Sequence, residues 1–333
     1  MNYSYSCRRL THFVLLIAAF GLLMTSPALS QPALQEIADP MDATLKAVGD
    51  HATLFTIQRD GNPNNFPGIS LLVLSGFESR PNGRCFREEI YEYGFTSTQA
   101  PSRQLAVFDG IMSRGFQPIN NTGNIETGRN VIFLSPESPE NYYRRIMGAE
   151  IPNILRGEVE YIKPDQLIQS LDGNYNIVNL IAKTAKGEIR YQVTFDQNHG
   201  MLPVKIFRQT RADENSPWKD VLQHSILEWM TLEDGIHYPK TGIQTIFQEE
   251  IQPTKLEVLS LVRNVDIKAI TDSFIFPPDC QVYDLETESW VKIEKSTLEN
   301  NADIIPQQIT LFPQALGITL DDAMAMFNDL LKE

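Results

Sequence analysis

The alternation of apolar and polar positions along this chain changes register twice. Residues 33–48 (ALQEIADPMDATLKAV) have helical composition, with Pro40 opening a stretch in which Met41, Leu45 and Val48 fall at helical spacing and Gly49 follows as a stop. From residue 52 onward the period shortens to that of strands. Strands are predicted over 52–59, 69–77, 84–96, 104–116, 130–134, 175–185, 188–195, 202–210, 221–232, 236–248 and 255–265. Their separators include Lys186-Gly187, Asn198-His-Gly200 and Glu233-Asp-Gly235, short glycine turns of the kind that join antiparallel neighbours. Two proline-initiated stretches, 139–147 and 164–171, are predicted to be short helices, and a further helix is predicted over 318–331, with Leu320, Met324, Phe327, Leu330 and Leu331 on one face. Strands at regular spacing without helical crossovers predict a meander in a mainly β (α+β) protein.

The first thirty positions have a different pattern. Arg8 and Arg9 precede the uncharged run 13–24 (FVLLIAAFGLLM), and Pro27 and Ala28-Leu29-Ser30 follow, the order of a secretory leader cleaved after Ser30. The run of 12 apolar residues is shorter than the roughly 20 that a membrane-spanning helix needs. The expected organisation is therefore a signal peptide at 1–30, a β-rich domain at 31–296, and a linker with a C-terminal helix at 297–333.

Composition sharpens this picture. The chain has 333 residues with a formal charge of -14, and loss of Arg8 and Arg9 leaves 26 basic against 42 acidic residues, a charge near -16. Such a chain, without basic runs, repels phosphate backbones, so nucleic acid is not an expected partner. Export also removes Cys7, leaving Cys85 and Cys280 in an oxidising compartment. That even pair is a candidate disulfide, two independent buried thiols being the alternative.

Catalytic signatures are absent. Asp60, Asn62 and Asn64 have the first spacings of a calcium loop, but Phe66 and Leu71 occupy the glycine and closing-glutamate positions. His51, His199, His224 and His237 show no metal-ligand spacing, and there is no nucleophile elbow or phosphate-cradling glycine run. The reading is of a non-enzyme with no metal and no cofactor; a hydrolase using scattered carboxylates is the weakest alternative.

Residues 195–206 (FDQNHGMLPVKI) form a strand ending in aspartate, a glycine turn and a strand opening with proline. Residues 232–239 (LEDGIHYP) leading into 241–247 (TGIQTIF), and 274–284 (FIFPPDCQVYD) preceded by the strand at 255–265, continue the pattern. These segments resemble exported proteins of the LolA-like group, which includes periplasmic lipoprotein carriers, their outer-membrane receptor and sigma-factor regulators. Glycine is common in that group at the position of Asp279 or Cys280. The resemblance implies a strongly curved antiparallel sheet, an incomplete barrel whose concave side is covered by helices, with space for acyl chains.

On this reading Leu72, Leu74, Tyr91, Tyr93, Phe95, Phe108, Ile181 and Val193 are candidates to line the apolar concavity. The expected partners are lipid or lipoprotein acyl chains in the periplasm, with transient membrane contact. The alternative from another class is an interaction or envelope-stress sensor module that binds an envelope protein, with Met324 and Phe327 on an exposed face of the tail helix.

Overall fold

The structure, a computed structural model, describes residues 30–60, 69–80, 83–92, 102–108, 111–117, 120–127, 139, 143–170, 173–247, 252–265, 276, 279–293 and 322. It opens with helix α1 (Gln31–Val48). Ser30 caps it by accepting from the Ala33 N–H, Pro32 sits in the first turn, and Leu34, Ile37, Ala38, Met41, Leu45 and Val48 form one buried stripe. Pro40 lies inside this helix and does not open it. Its missing N–H and ring cost a free helix about 3 kcal/mol, so α1 depends on the surface it covers.

The strands are β1 (His51–Arg59), β2 (Ile69–Arg80), β3 (Gly83–Glu92), β4 (Ser102–Phe108), β5 (Met112–Gln117), β6 (Thr122–Thr127), β7 (Arg145–Ile146) and β8 (Ala149–Glu150). Helix α2 (Ile151–Leu155) follows, then β9 (Ile162–Gln169), β10 (Tyr175–Thr184), β11 (Gly187–Asp196), β12 (Leu202–Arg211), β13 (Lys219–Thr231), β14 (His237–Ile246), β15 (Thr254–Arg263), β16 (Gln281–Asp284) and β17 (Ser289–Lys292). Among the described residues, fifteen of these form one open sheet in the order β17-β16-β6-β5-β4-β3-β2-β1-β15-β14-β13-β12-β11-β10-β9. All pairings are antiparallel except β16 with β6. Bulges at Leu54/Phe55, Asn179/Leu180, Thr194/Phe195 and Arg208/Gln209 bend the ladder. The expected open, curved antiparallel sheet with few helices is what is found.

Several elements differ from expectation. In the segment predicted as a helix at 164–171, residues 164–169 belong to strand β9. Pro164 is tolerated there because β9 is the last strand of the sheet and is itself bulged at that point, with Asp165 as the extra residue. The helix predicted over 139–147 gives way by Arg145 to the small hairpin of β7 and β8, turning at Met147 and Gly148, both at positive φ. The stretch 104–116 is two strands, not one, while β6, α2, β16 and β17 had no counterpart among the predicted elements. The strand predicted at 130–134 lies outside the described residues, as does the tail helix apart from Asp322.

The sheet buries different faces at its two ends. From β9 to β2 the face carrying Phe55, Ile57, Val73, Val178, Leu180, Val193, Ile206, Leu256 and Val258 packs under α1 and α2 in one continuous core. At the other end Leu105, Val107, Phe276, Cys280 and Val282 form a second core. Register places the second on the reverse face. Phe108 pairs through Phe86 in the row of Phe77 and His51, so Leu105 and Val107 alternate to the opposite side. Gly123 makes this approach feasible, because a Cβ there would overlap the Phe276 ring and the Gly115 carbonyl. Asp279 adopts φ 62, a left-handed conformation that favours glycine.

Cys280 is a free, buried thiol, and no disulfide is present among the described residues. The bond expected between Cys85 and Cys280 is therefore not formed. The sheet order separates β3, which carries Cys85, from β16 by four strand steps of about 4.8 Å each, beyond the reach of a disulfide. Burial raises the Cys280 thiol pKa to about 11. Two outcomes follow. Without prior reduction, the Cys280 peptide should be fully alkylated after denaturation and scarcely alkylated in the native protein, as read by mass spectrometry. Gly123→Ala should cost about 1–3 kcal/mol in urea unfolding through overpacking, and a second change, Phe276→Ala, should make the pair less than additive.

Candidate functional site: the concave face and its helix

The concave face is apolar over most of its area, and the chain itself occupies it. Helix α1 crosses diagonally. At its N-terminus Gln31 Nε2 donates to the carbonyls of Leu155 and Arg156 at 3.4 and 3.0 Å, beside the start of β9. Near its C-terminus Arg263 Nη1, at the end of β15, donates to the Ala47 carbonyl at 3.1 Å. One turn before its C-terminal end, Thr44 Oγ1 donates to the Pro40 carbonyl within α1 and to the Gly200 carbonyl in the β11–β12 turn, at 3.0 and 3.2 Å.

The rim contacts of α1 are polar, in contrast to its buried stripe. Arg156 Nη2 reaches Asp39 Oδ1 and Asp42 Oδ2, both at 2.9 Å, and Lys46 Nζ reaches Asp42 Oδ2 at 2.9 Å. Burial raises the Asp42 carboxyl pKa, but hydrogen bonds and charge from Lys46 and Arg156 outweigh it and hold the group below the ordinary carboxylate range. The Arg156 guanidinium is raised in turn, chiefly by its hydrogen bond with Asp39. An open cavity of about 320 Å³ lies beside this clamp, between Gln31 and Leu34 of α1 and Gly157, Val159, Glu160, Lys163 and Pro164.

At the His51 end the face is closed by rings and guanidinium groups. His51 stacks on Phe77 at 6.0 Å and meets Tyr238 edge-on at 5.6 Å, and Tyr143 meets Tyr238 at 5.5 Å. The guanidinium groups of Arg144 and Arg145 each lie 5.4 Å from the Phe77 ring centre. Arg144 is fully buried and reaches Glu150 at 3.4 Å.

Along the same sheet edge the fold unites residues far apart in the chain. His199 Nδ1 donates to Asp196 Oδ2 at 2.7 Å, its ring stacks on Trp229 at 4.7 Å, and it meets His237 edge-on at 4.6 Å. The chain offered no local spacing that joins the two histidines; the β11–β12 and β13–β14 turns do so by lying on one edge. Among the described residues no group of three or more His, Cys, Asp or Glu is arranged to hold a metal ion.

The residues expected to line the concavity separate. Val193 is fully buried in the main core, and Phe108 stands in the row of Phe77 and His51. Ile181 is a correction. It pairs with Arg190 on the reverse face, where Gln166, Asn179 and Gln192 hydrogen-bond in a ladder and Arg190 meets Gln209. Backbone register pairs Leu72 with Thr56 and Leu74 with Leu54, positions alternating with Phe55 and Ile57, and Tyr91 pairs with Leu72. All three thus stand at positions of the reverse face; their side chains, with Tyr93 and Phe95 entirely, lie outside the described residues. An apolar residue in a strand buried on both sides gives no signal of which face it joins.

No family model matches the chain, and no curated protein matches it. Among solved structures it is similar to a domain with a proposed role in outer membrane lipoprotein sorting from Vibrio parahaemolyticus, at 12% identity and TM-score 0.45, covering 72% of this chain and 97% of that one. A DUF1329 family protein from Desulfovibrio piger matches at 12% identity and TM-score 0.46, covering 72% and 95%. A LolA superfamily protein from Nitrosomonas europaea matches at 13% identity and TM-score 0.41, covering 74% and 97%. At these values the likenesses carry no inference about ligand or partner. Among the described residues no helix is long and apolar enough to cross a membrane.

The edge cluster generates a pH dependence. Burial, then the neighbouring His199, push the His237 pKa down against the pull of Asp196. A folded-state pKa below the ordinary value of 6.5 means that the unfolded chain binds this proton better. The stability is complete above pH 6.5 and is lost as the pH falls from there to the depressed value. The urea midpoint should therefore decline over that interval in the wild type, and His237→Asn should remove that part of the decline. An unchanged profile would rule out His237 as its source.

Proposed function

We propose that this chain is an exported lipid- or lipoprotein-binding protein of carrier type, which holds acyl chains against the concave face after α1 yields it. The observation that supports this reading is the unequal attachment of α1. Most of a wide apolar face is covered by one helix with an internal proline, whose rim contacts are half-exposed ion pairs and single hydrogen bonds. An open curved sheet cannot fill its own interior, so its apolar face needs a cover. A cover carrying an internal proline costs less to displace than an uninterrupted helix. The LolA-like hairpin sequences at 195–206 and 232–247 favour the same reading, as does the leader at 1–30, which would deliver the chain to the periplasm. No catalytic step is assigned to it.

Native mass spectrometry of the full chain purified without detergent tests the proposal. It should carry co-purifying lipid or take up a C12–C16 acyl probe. Arg156→Ala removes a clamp worth up to about 1 kcal/mol. If opening limits binding, the variant should hold the probe up to about fivefold more tightly. Absence of bound acyl species in both proteins would overturn the proposal.

A further inference from the structure

One corner of the concave face differs chemically from the rest. Because α1 runs from the start of β9 to the start of β1, it leaves the opposite corner, where β12, β13, β14, β15 and the end of β1 meet, away from its track. Two transverse rows of the sheet end there. One runs Ile246, Leu222, Arg208 and Tyr191. The next runs Thr254, Gln244, His224, Ile206 and Val193, and Arg59 stands two positions beyond Ile57 on the same face of β1. Neither row carries an acid.

The polar members of this corner are buried or half-buried, and three of their atoms lack a partner. His224, Gln244 and Thr254 are only 8%, 5% and 1% exposed. The Gln244 amide donates to His224 Nε2 at 2.9 Å, which places the imidazole proton on Nδ1. Thr254 Oγ1, Arg59 Nε and Arg208 Nε are all buried without a hydrogen-bond partner. A buried polar atom left unpaired costs stability, and a charged group costs more than a neutral one. Guanidinium N–H groups in a partly dehydrated site are matched by the oxygens of a carboxylate or phosphate.

We infer that this corner binds the oxyanionic headgroup of an anionic amphiphile, with its acyl chain running along the apolar row from Ile206 toward Val193 and Val178. The inference rests on the acyl-binding reading above and adds to it a sign of charge and a position. It accounts for why Arg59, Arg208 and an unpaired Thr254 hydroxyl converge at this one corner of the face. Arg59 and Arg208 have no ion-pair partner among the described residues, so an incoming anion need displace none.

Titration calorimetry of the full chain with dodecanoate, dodecanol, acetate and inorganic phosphate separates the outcomes. Dodecanoate should bind at least about tenfold more tightly than dodecanol, the gain of one charge-assisted hydrogen bond, and acetate and phosphate alone should bind far more weakly. Arg208→Gln and Arg59→Gln should each reduce the preference for the acid toward parity while leaving dodecanol affinity unchanged. Thr254→Val, which keeps the side-chain volume and removes the unpaired hydroxyl, should fold with unchanged or raised stability and also reduce the preference. That variant guards against loss of fold as an explanation. Binding of both amphiphiles with equal affinity, or a preference that survives all three substitutions, overturns the headgroup site alone. Phosphate or acetate binding as tightly as dodecanoate overturns the amphiphile in favour of a free anion. Failure of both amphiphiles overturns the acyl-binding reading, and this inference with it.

Discussion

Burial of the concave face beneath α1 is the interaction on which the rest of this structure depends. A single sheet that curves without closing exposes one apolar surface that its own strands cannot cover. Here Leu34, Ile37, Ala38, Met41, Leu45 and Val48 supply that cover, with Ile151, Ile154 and Leu155 of α2 beside them. At about 1.5–3 kcal/mol for each large apolar side chain buried, the stripe outweighs the penalty of Pro40 several-fold. The helix exists because the sheet is there, and the sheet keeps its curvature because the helix fills it.

The same arrangement divides the molecule into zones with different chemistry. Beneath α1 the face is dry and apolar. At the His51 edge it is sealed by stacked rings and by Arg144, buried among them. At the corner of Arg59, Arg208 and Thr254 it is polar, and unpaired donors and hydroxyl remain. A diagonal cover on a broad sheet necessarily leaves two corners away from its track. In this chain one of them carries the cations, and that asymmetry gives a ligand on this face a direction.

The second core shows how one sheet can serve two packing problems. Leu105, Val107 and Val282 turn their apolar side to the reverse face, where Phe276 packs against the bare backbone at Gly123. The parallel pairing of β16 with β6 is the topological consequence, since the chain leaves β15 and returns at the far end of the sheet. Cys280 is buried in this second core, several strands from Cys85, which is why the expected pairing of these two cysteines is not a bond.

Much of the fold was legible in local pattern. The strands around Val193, Ile206 and Leu256 alternate over long runs, and glycines at 187, 200 and 235 mark turns that the structure places at positive φ. The stripe of α1 was readable for the same reason, since residues three and four apart share a helix face whatever lies against it. What alternation cannot state is which of two strand faces meets the cover. Ile181 and Val193 look alike in sequence, yet one joins a polar ladder and the other the core. Pro164 reads as a helix start until the sheet order makes its strand an edge. The amino-acid order by itself therefore determined α1, most of the long strands with their glycine turns, and the need for an apolar cover. Only the tertiary structure decided the path of that cover, the union of His199 with His237 and the cationic corner, because each joins residues whose separation along the chain carries no periodic signal.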